Sequence, residues 1–261
     1  MRRPVRKSPP RRRKPRPANS TGRDPVTPAA AIALPRVIGH RGAAAVAPEN
    51  TLAGLRAARD AGARWVEFDV RLSADGAAVL AHDPTLERIA GRKARIGRLT
   101  AAALAAHAVP SLDDALALCA ALGLGANVEM KYCGRRSPAL ARAVAAAIRR
   151  AGAPPPVLVS SFRPSLLLAL RVAAPAIPRG LLMSRLRPGW RGRLRAVRPA
   201  ALVCGARRLT APDCAALKAT GLPLAVYTVN DPNLARRLWL WGVDAVITDD
   251  PGRLVGADRD G

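Results

Sequence analysis

Eight short apolar runs, each separated from the next by a longer stretch of mixed or helical pattern, limit the folds open to this chain. They span 36–39, 65–70, 127–130, 157–160, 180–183, 201–204, 224–228 and 245–248. Helical candidates between them cover 51–61, 112–122, 137–151, 165–173, 211–220 and 232–241. Strands that alternate with helices run parallel, because each helix carries the chain back across the sheet. Eight such units predict a closed α/β barrel of the TIM type rather than an open sheet. One more strand-like run, 77–81, follows 65–70 too closely for a helical crossover. It is expected to be the return arm of a β-hairpin turning at Asp75-Gly76, an excursion after the second strand. With a two-residue turn, that hairpin sets Asp69 opposite His82.

A chain of 261 residues can build one such barrel with a substantial core, and the domain is expected over residues 33–256. Residues 1–32 have a different composition. Residues 1–24 carry ten Lys/Arg and one Asp, a charge of +9 out of +25, leaving +16 for the remainder. They also hold Pro4, Pro9, Pro10, Pro15 and Pro17 and little that is apolar. A segment of this kind cannot offset its ordering entropy by burial, so a disordered basic tail is expected. It reads as a solvated extension, as a contact for anionic surfaces or nucleic acid, or as the product of a misassigned start codon. Arginine and alanine are abundant along the whole chain, which points to a coding bias as well as to a partner.

The tail lacks the apolar core of a signal peptide, and no apolar run reaches the ~18 residues of a membrane span. Cys119, Cys133, Cys204 and Cys214 show no CxxC spacing. They suggest neither a zinc site nor a disulfide framework, and fit buried thiols in a reducing cytoplasm. A cytoplasmic location follows as the expectation.

Chemistry-bearing residues fall at the ends of the predicted strands: Gly39-His40-Arg41-Gly42, Glu67-Phe68-Asp69, His82-Asp83 and Glu129-Met130-Lys131. Of the chain's three histidines, two are in this set. Glu67 and Asp69 lie two apart and share one side of a strand, as do Glu129 and Lys131. In a parallel barrel the C-terminal ends of the strands form one rim, so these groups converge there. Three neighbouring carboxylates repel unless neutralised. A hard divalent cation, Mg²⁺ or Ca²⁺, held by Glu67, Asp69 and Glu129 would do this; ion pairing with Arg41 and Lys131 is the alternative.

A cation beside Arg41 and Lys131 suits a phosphate group. His40 and His82 on either side could then take one proton and donate another. His107, in an alanine-rich stretch, reads as a hydrogen-bonded structural residue. Pro48-Glu49-Asn50-Thr51 reads as a helix start with Asn50 or Thr51 as its cap, leaving Glu49 to face the rim. Phe162, Tyr227 and Asn230 follow later strands and either line a substrate pocket or pack into the core.

Together these stretches resemble the glycerophosphodiester phosphodiesterase family, in its cytoplasmic bacterial form. Pro110-Ser111-Leu112, Ser160-Ser161-Phe162, Tyr227-Thr228-Val229-Asn230 and Gly242-Val243-Asp244 through Thr248-Asp249 extend the likeness from about Val37 to Pro251. The resemblance implies a TIM-barrel enzyme that hydrolyses glycerophosphodiesters to sn-glycerol 3-phosphate and an alcohol. It implies His40 and His82 as the acid/base pair, Glu67, Asp69 and Glu129 as ligands of a divalent cation, and Arg41 and Lys131 as phosphate contacts. The stretch 88–109 is shorter and richer in alanine than in the family, so the likeness leaves the head group open. A lysophospholipase D activity on the same fold is the nearest rival, and a nucleic-acid-binding protein built around the tail is a third reading. With few aromatics (3% of residues) and no recognition motif, no obligate nucleic-acid partner is expected.

Overall fold

A computed structural model of the chain describes residues 32–152 and 155–256. The expected tail lies, up to residue 31, outside the described residues. Nine strands form one sheet: β1 (Val37–Gly39), β2 (Trp65–Leu72), β3 (Ala78–Leu80), β4 (Gly125–Met130), β5 (Val157–Ser161), β6 (Arg179–Met183), β7 (Ala201–Gly205), β8 (Leu224–Tyr227) and β9 (Ala245–Thr248). Eight of them pair in parallel, and β1 bonds both β2 and β9, which closes the barrel. The remaining strand, β3, runs antiparallel to the end of β2 outside the ring. Every predicted strand is present, with ends shifted by two residues or fewer.

Around the barrel lie α1 (Leu52–Asp60), α2 (Glu87–Ala90), α3 (Ala101–Ala105), α4 (Leu112–Leu122), α5 (Ser137–Arg150), α6 (Pro164–Ala173), α7 (Trp190–Val197), α8 (Ala211–Lys218), α9 (Pro232–Leu240) and α10 (Pro251–Val255). Helix α7, which the sequence pattern does not reveal, carries Gly192 and three arginines in eight residues, so its apolar stripe is thin. It is held by Trp190 and Val197, buried in the core between barrel and helices.

Strand parity divides the core. Ile38, Trp65, Leu158, Leu182, Val203 and Ile247 belong to one buried cluster inside the barrel. Their alternates, such as Val66, Phe68, Val128 and Val159, join the larger cluster under the helices. Counting by two along β2 leads from Trp65 to Glu67 and Asp69, so the barrel is apolar at its floor and acidic near its rim. The registers Trp65–Gly125, Glu67–Asn127 and Asp69–Glu129 bring the β4 residues level with these.

The hairpin register differs by one residue from the expectation. Val70 pairs with Leu80 and Leu72 with Ala78, so Asp69 faces Ala81, whose N–H donates to the Asp69 carbonyl at 2.9 Å. The loop is Ala74-Asp75-Gly76, three residues, with Gly76 at φ 86°. A three-residue loop needs a left-handed residue at that point, and glycine supplies it. Ser73 fixes the choice: its N–H and hydroxyl both donate to the Ala77 carbonyl, and its oxygen accepts from the Ala77 N–H. A one-residue slip would turn His82 to the other face of a continuing strand. Strand β3 ends at Leu80 instead, and His82 reaches the rim from the loop beyond it.

Candidate active site

The site is built on the ends of β1, β2, β4 and β9. At the end of β1 the chain turns sharply through Arg41 (φ 52°) and Gly42 (φ 90°). A side chain at Gly42 would lie 2.5 Å from the backbone of Gly54, so this turn closes only with glycine there. The turn lets the Arg41 N–H donate to Glu67 Oε2 at 3.1 Å. It also seats His40 with its Nε2 3.8 Å from the same oxygen.

One oxygen of Glu67, one of Asp69 and one of Glu129 lie within 4.8 Å of one another, and all three residues are buried. Lys131 Nζ is 2.8 Å from Asp69 Oδ1 and 2.5 Å from Glu129 Oε1. The second contact is not aligned as a hydrogen bond, so Glu129 Oε1 has a charge neighbour but no directed donor. Arg41 Nε approaches Asp69 Oδ2 at 3.4 Å. Burial alone would raise the Asp69 pKa, but Lys131 and Arg41 outweigh it and hold the group low. Glu67 has no lysine or arginine side chain in contact, only the His40 ring at 3.8 Å: burial, then the charge of Asp69, push it up to about 8. Burial and Asp69 raise Glu129 too, against the pull of Lys131.

These carboxylates fit a hard divalent cation. Their oxygens are close enough to share one ion at ~2.0–2.6 Å each, and the contacts of Lys131 and Arg41 reach only Asp69 and Glu129. The lysine partners two of the three, which leaves Glu67 as the side most in need of a cation.

Each histidine at this rim has an aspartate on its Nδ1. His40 Nδ1 is 2.5 Å from Asp249 Oδ1, and His82 Nδ1 is 2.7 Å from Asp83 Oδ1. The carboxylate fixes the tautomer with the proton on Nδ1 and leaves Nε2 free for proton transfer. Burial works against protonation of His40, but the bond to Asp249 and the charge of Glu67 outweigh it, and its pKa is raised. His82 goes the other way: burial lowers it, and the charge of Asp69 does not make up the difference.

Several orienting residues escape the sequence reading. Asn50, one of the two proposed caps, does not cap α1; Thr51 does, accepting from the Gly54 N–H at 3.0 Å. Asn50 instead donates to Asp69 Oδ2 at 3.0 Å and accepts from the Asp69 N–H at 2.9 Å, holding that residue by both its carboxylate and its backbone. Asp249 stands in the matched stretch Thr248-Asp249 at the end of the last strand, and that placement was the available signal. Asp83 adjoins His82 in sequence. Arg88 clamps both Asp83, at 2.6 Å, and Glu49, at 2.6 and 2.7 Å.

The expected pocket residues divide. Glu49 is at the rim but already holds Arg41 at 3.0 Å as well as Arg88. It lines a cavity of about 230 Å³ that also borders His82, Asp83, Ile89 and Val109. Asn230 is turned toward β9: it donates to Asp249 Oδ2 at 2.7 Å and accepts from the Thr248 hydroxyl and the Asp249 N–H. It therefore positions the partner of His40. Phe162 and Tyr227 meet edge to face at 6.0 Å, and the Tyr227 hydroxyl donates to the Met183 carbonyl at 3.3 Å. His107, just past α3, contacts Arg92 at 3.0 Å.

Comparison with known proteins agrees with this geometry. Residues 40–253 match the model of the Glycerophosphoryl diester phosphodiesterase family. A glycerophosphodiester phosphodiesterase of Caldanaerobacter subterraneus is 28% identical over 239 residues, 86% of this chain and 98% of that protein. A phosphodiesterase of Oleispira antarctica, solved with the product sn-glycerol-3-phosphate, superposes with a TM-score of 0.82 at 32% identity, covering 87% of this chain and 97% of its own. The glycerophosphodiester phosphodiesterase of Thermotoga maritima gives a TM-score of 0.71 at 28% identity, over 85% and 98% of the two chains.

Proposed function

The chain belongs to the glycerophosphoryl diester phosphodiesterase family, and on that premise we propose how its rim hydrolyses a glycerophosphodiester to sn-glycerol 3-phosphate and an alcohol. The observation that carries the reading is the three-carboxylate cluster at a rim that also carries two imidazoles, each oriented by its own aspartate. Glu67, Asp69 and Glu129 hold one divalent cation, Mg²⁺ or Ca²⁺. Bound there, it supplies positive charge to the phosphate oxygens, which gain negative charge as the attacking oxygen adds. Arg41 and Lys131, already beside these carboxylates, orient the same phosphate.

Proton transfer falls to the histidines. His40 sits at the buried end of the site, with 16% of its side chain exposed, and its Nε2 takes the proton of the oxygen that attacks phosphorus. His82, 35% exposed, borders the cavity beside Glu49, which suits the alcohol half of the diester. As the bond from phosphorus to that alcohol breaks, His82 in its imidazolium form, with Nδ1–H donating to Asp83, gives the Nε2 proton to the departing oxygen. Three of the four cysteines are buried free thiols, which supports the cytoplasm as the compartment. Among the described residues no helix is long and apolar enough to cross a membrane.

Hydrolysis of glycerophosphocholine, with lysophosphatidylcholine as comparison, tests the reading. EDTA and His40→Ala should each abolish turnover. With a nitrophenol leaving group, which departs without protonation, His82→Ala should regain most of its activity and His40→Ala should not. Robust turnover by His40→Ala in chelator, or faster cleavage of the lysophospholipid, would refute it.

A further inference from the structure

The rim has a second chemical character, on the arc away from the carboxylates. Between Glu129 and Asp213 the sequence contains no Asp or Glu. This stretch supplies four consecutive rim loops, those after β4, β5, β6 and β7. Each loop carries exposed arginine: Arg135, Arg163, Arg185 with Arg187, and Arg207 with Arg208. Among the described residues none of the six forms an ion pair with a carboxylate. The loops after β1, β3, β8 and β9 bring the acids Glu49, Asp83, Asp231 and Asp249 to the opposite arc. Carboxylates on this face are therefore confined to one arc, where Arg88, Arg92, Lys93, Arg95 and Arg98 are mixed with them, while the other arc is cationic alone.

Exposed rings stand within the cationic arc. Tyr132 is 54% exposed and Phe162 37% exposed. We propose that this arc docks the protein rim-first on an anionic phospholipid bilayer. The arginines meet lipid phosphates, and Tyr132 and Phe162 enter the head-group layer, where an amphipathic ring has both an apolar and a wet side. A bilayer is favoured over nucleic acid by how the rings are used. Arg163 lies 4.8 Å over the Tyr132 ring and Phe162 packs edge to face on Tyr227, so neither ring is free for bases to stack on both sides. Docking in this sense faces the carboxylate cluster toward the surface whose head groups are themselves glycerophosphodiesters. The binding stands apart from the hydrolytic reading, because it can be measured without turnover.

The full-length chain, with its basic residues 1–24 unchanged in every variant, is floated with vesicles of phosphatidylcholine alone or mixed in equal parts with phosphatidylglycerol. The native protein should bind the mixed vesicles only. Arg185→Glu/Arg187→Glu should weaken that partition by about tenfold or more, while hydrolysis of soluble glycerophosphocholine stays at the native rate. Arg64→Glu/Arg149→Glu, the same charge change at the other end of the barrel, should bind as the native chain does. Tyr132→Ser should also weaken binding, and should do so at high salt as well as low. Equal loss from both arginine pairs, unchanged binding of the rim pair, or displacement from vesicles by duplex DNA at matched phosphate concentration would overturn the proposal.

Discussion

Replacing Asp249 by asparagine separates proton chemistry from folding. In the native site Asp249 accepts twice, from His40 Nδ1 at 2.5 Å and from Asn230 Nδ2 at 2.7 Å. An asparagine has one carbonyl oxygen and one amide, so it can satisfy only one of these two donors. If the oxygen faces His40, two amide groups oppose each other; if the amide faces His40, the imidazole is driven to the wrong tautomer. The bond lost is charge-assisted and shielded, with 16% and 29% of the two side chains exposed. Such bonds are worth about 1.5–3 kcal/mol, or about tenfold to a hundredfold in kcat at ~1.4 kcal/mol per decade. Because the bond to Asp249 is a cause of the raised His40 pKa, the variant should lose that proton at lower pH. Steady-state hydrolysis of glycerophosphocholine across pH, with thermal melting as a folding control, checks both effects. A kcat within about threefold of native, together with an unmoved pH profile, would show that Asp249 does not position the catalytic imidazole.

Cation binding should depend on pH through Glu67. Its folded pKa of about 8 lies above the ordinary carboxylate value, so the folded protein holds an extra proton between the two and loses stability as pH rises through that window. A cation must displace this proton, so Mg²⁺ or Ca²⁺ should raise Tm more at about pH 8.5 than at about pH 6, reversibly with EDTA. Equal gains at both pH values would count against Glu67 as a ligand. At the barrel floor, a methyl group on Gly125 would lie 2.2 Å from Trp65 Cε2. Gly125→Ala should therefore destabilise by about 1–3 kcal/mol, read as a lowered Tm, and a native Tm would refute the packing account.

Much of this molecule is legible in its residue order. Strand positions appear as apolar runs because a parallel strand is buried on both faces, and hydrophobicity is a local property of sequence. Glu67 with Asp69, and Glu129 with Lys131, show their shared faces through the two-residue period of a strand. The helix over 112–122 coincides with its forecast, bounded by the Ser111 cap and the left-handed Gly123. Helix α7 escapes because its stability comes from Trp190 and Val197 finding the core, not from its own pattern.

Contacts between distant stretches are a different matter. The hairpin register turned on the hydroxyl of Ser73, and Asn50 left the role of cap to hold a carboxylate on another strand. Asp249, more than two hundred residues from His40, reaches it only because β9 closes on β1. Residue order thus carries the elements and the types of group at their ends, through local burial and periodicity. Which acid orients which base is set by barrel closure, since hydrogen bonds depend on distances in space that spacing along the chain does not encode.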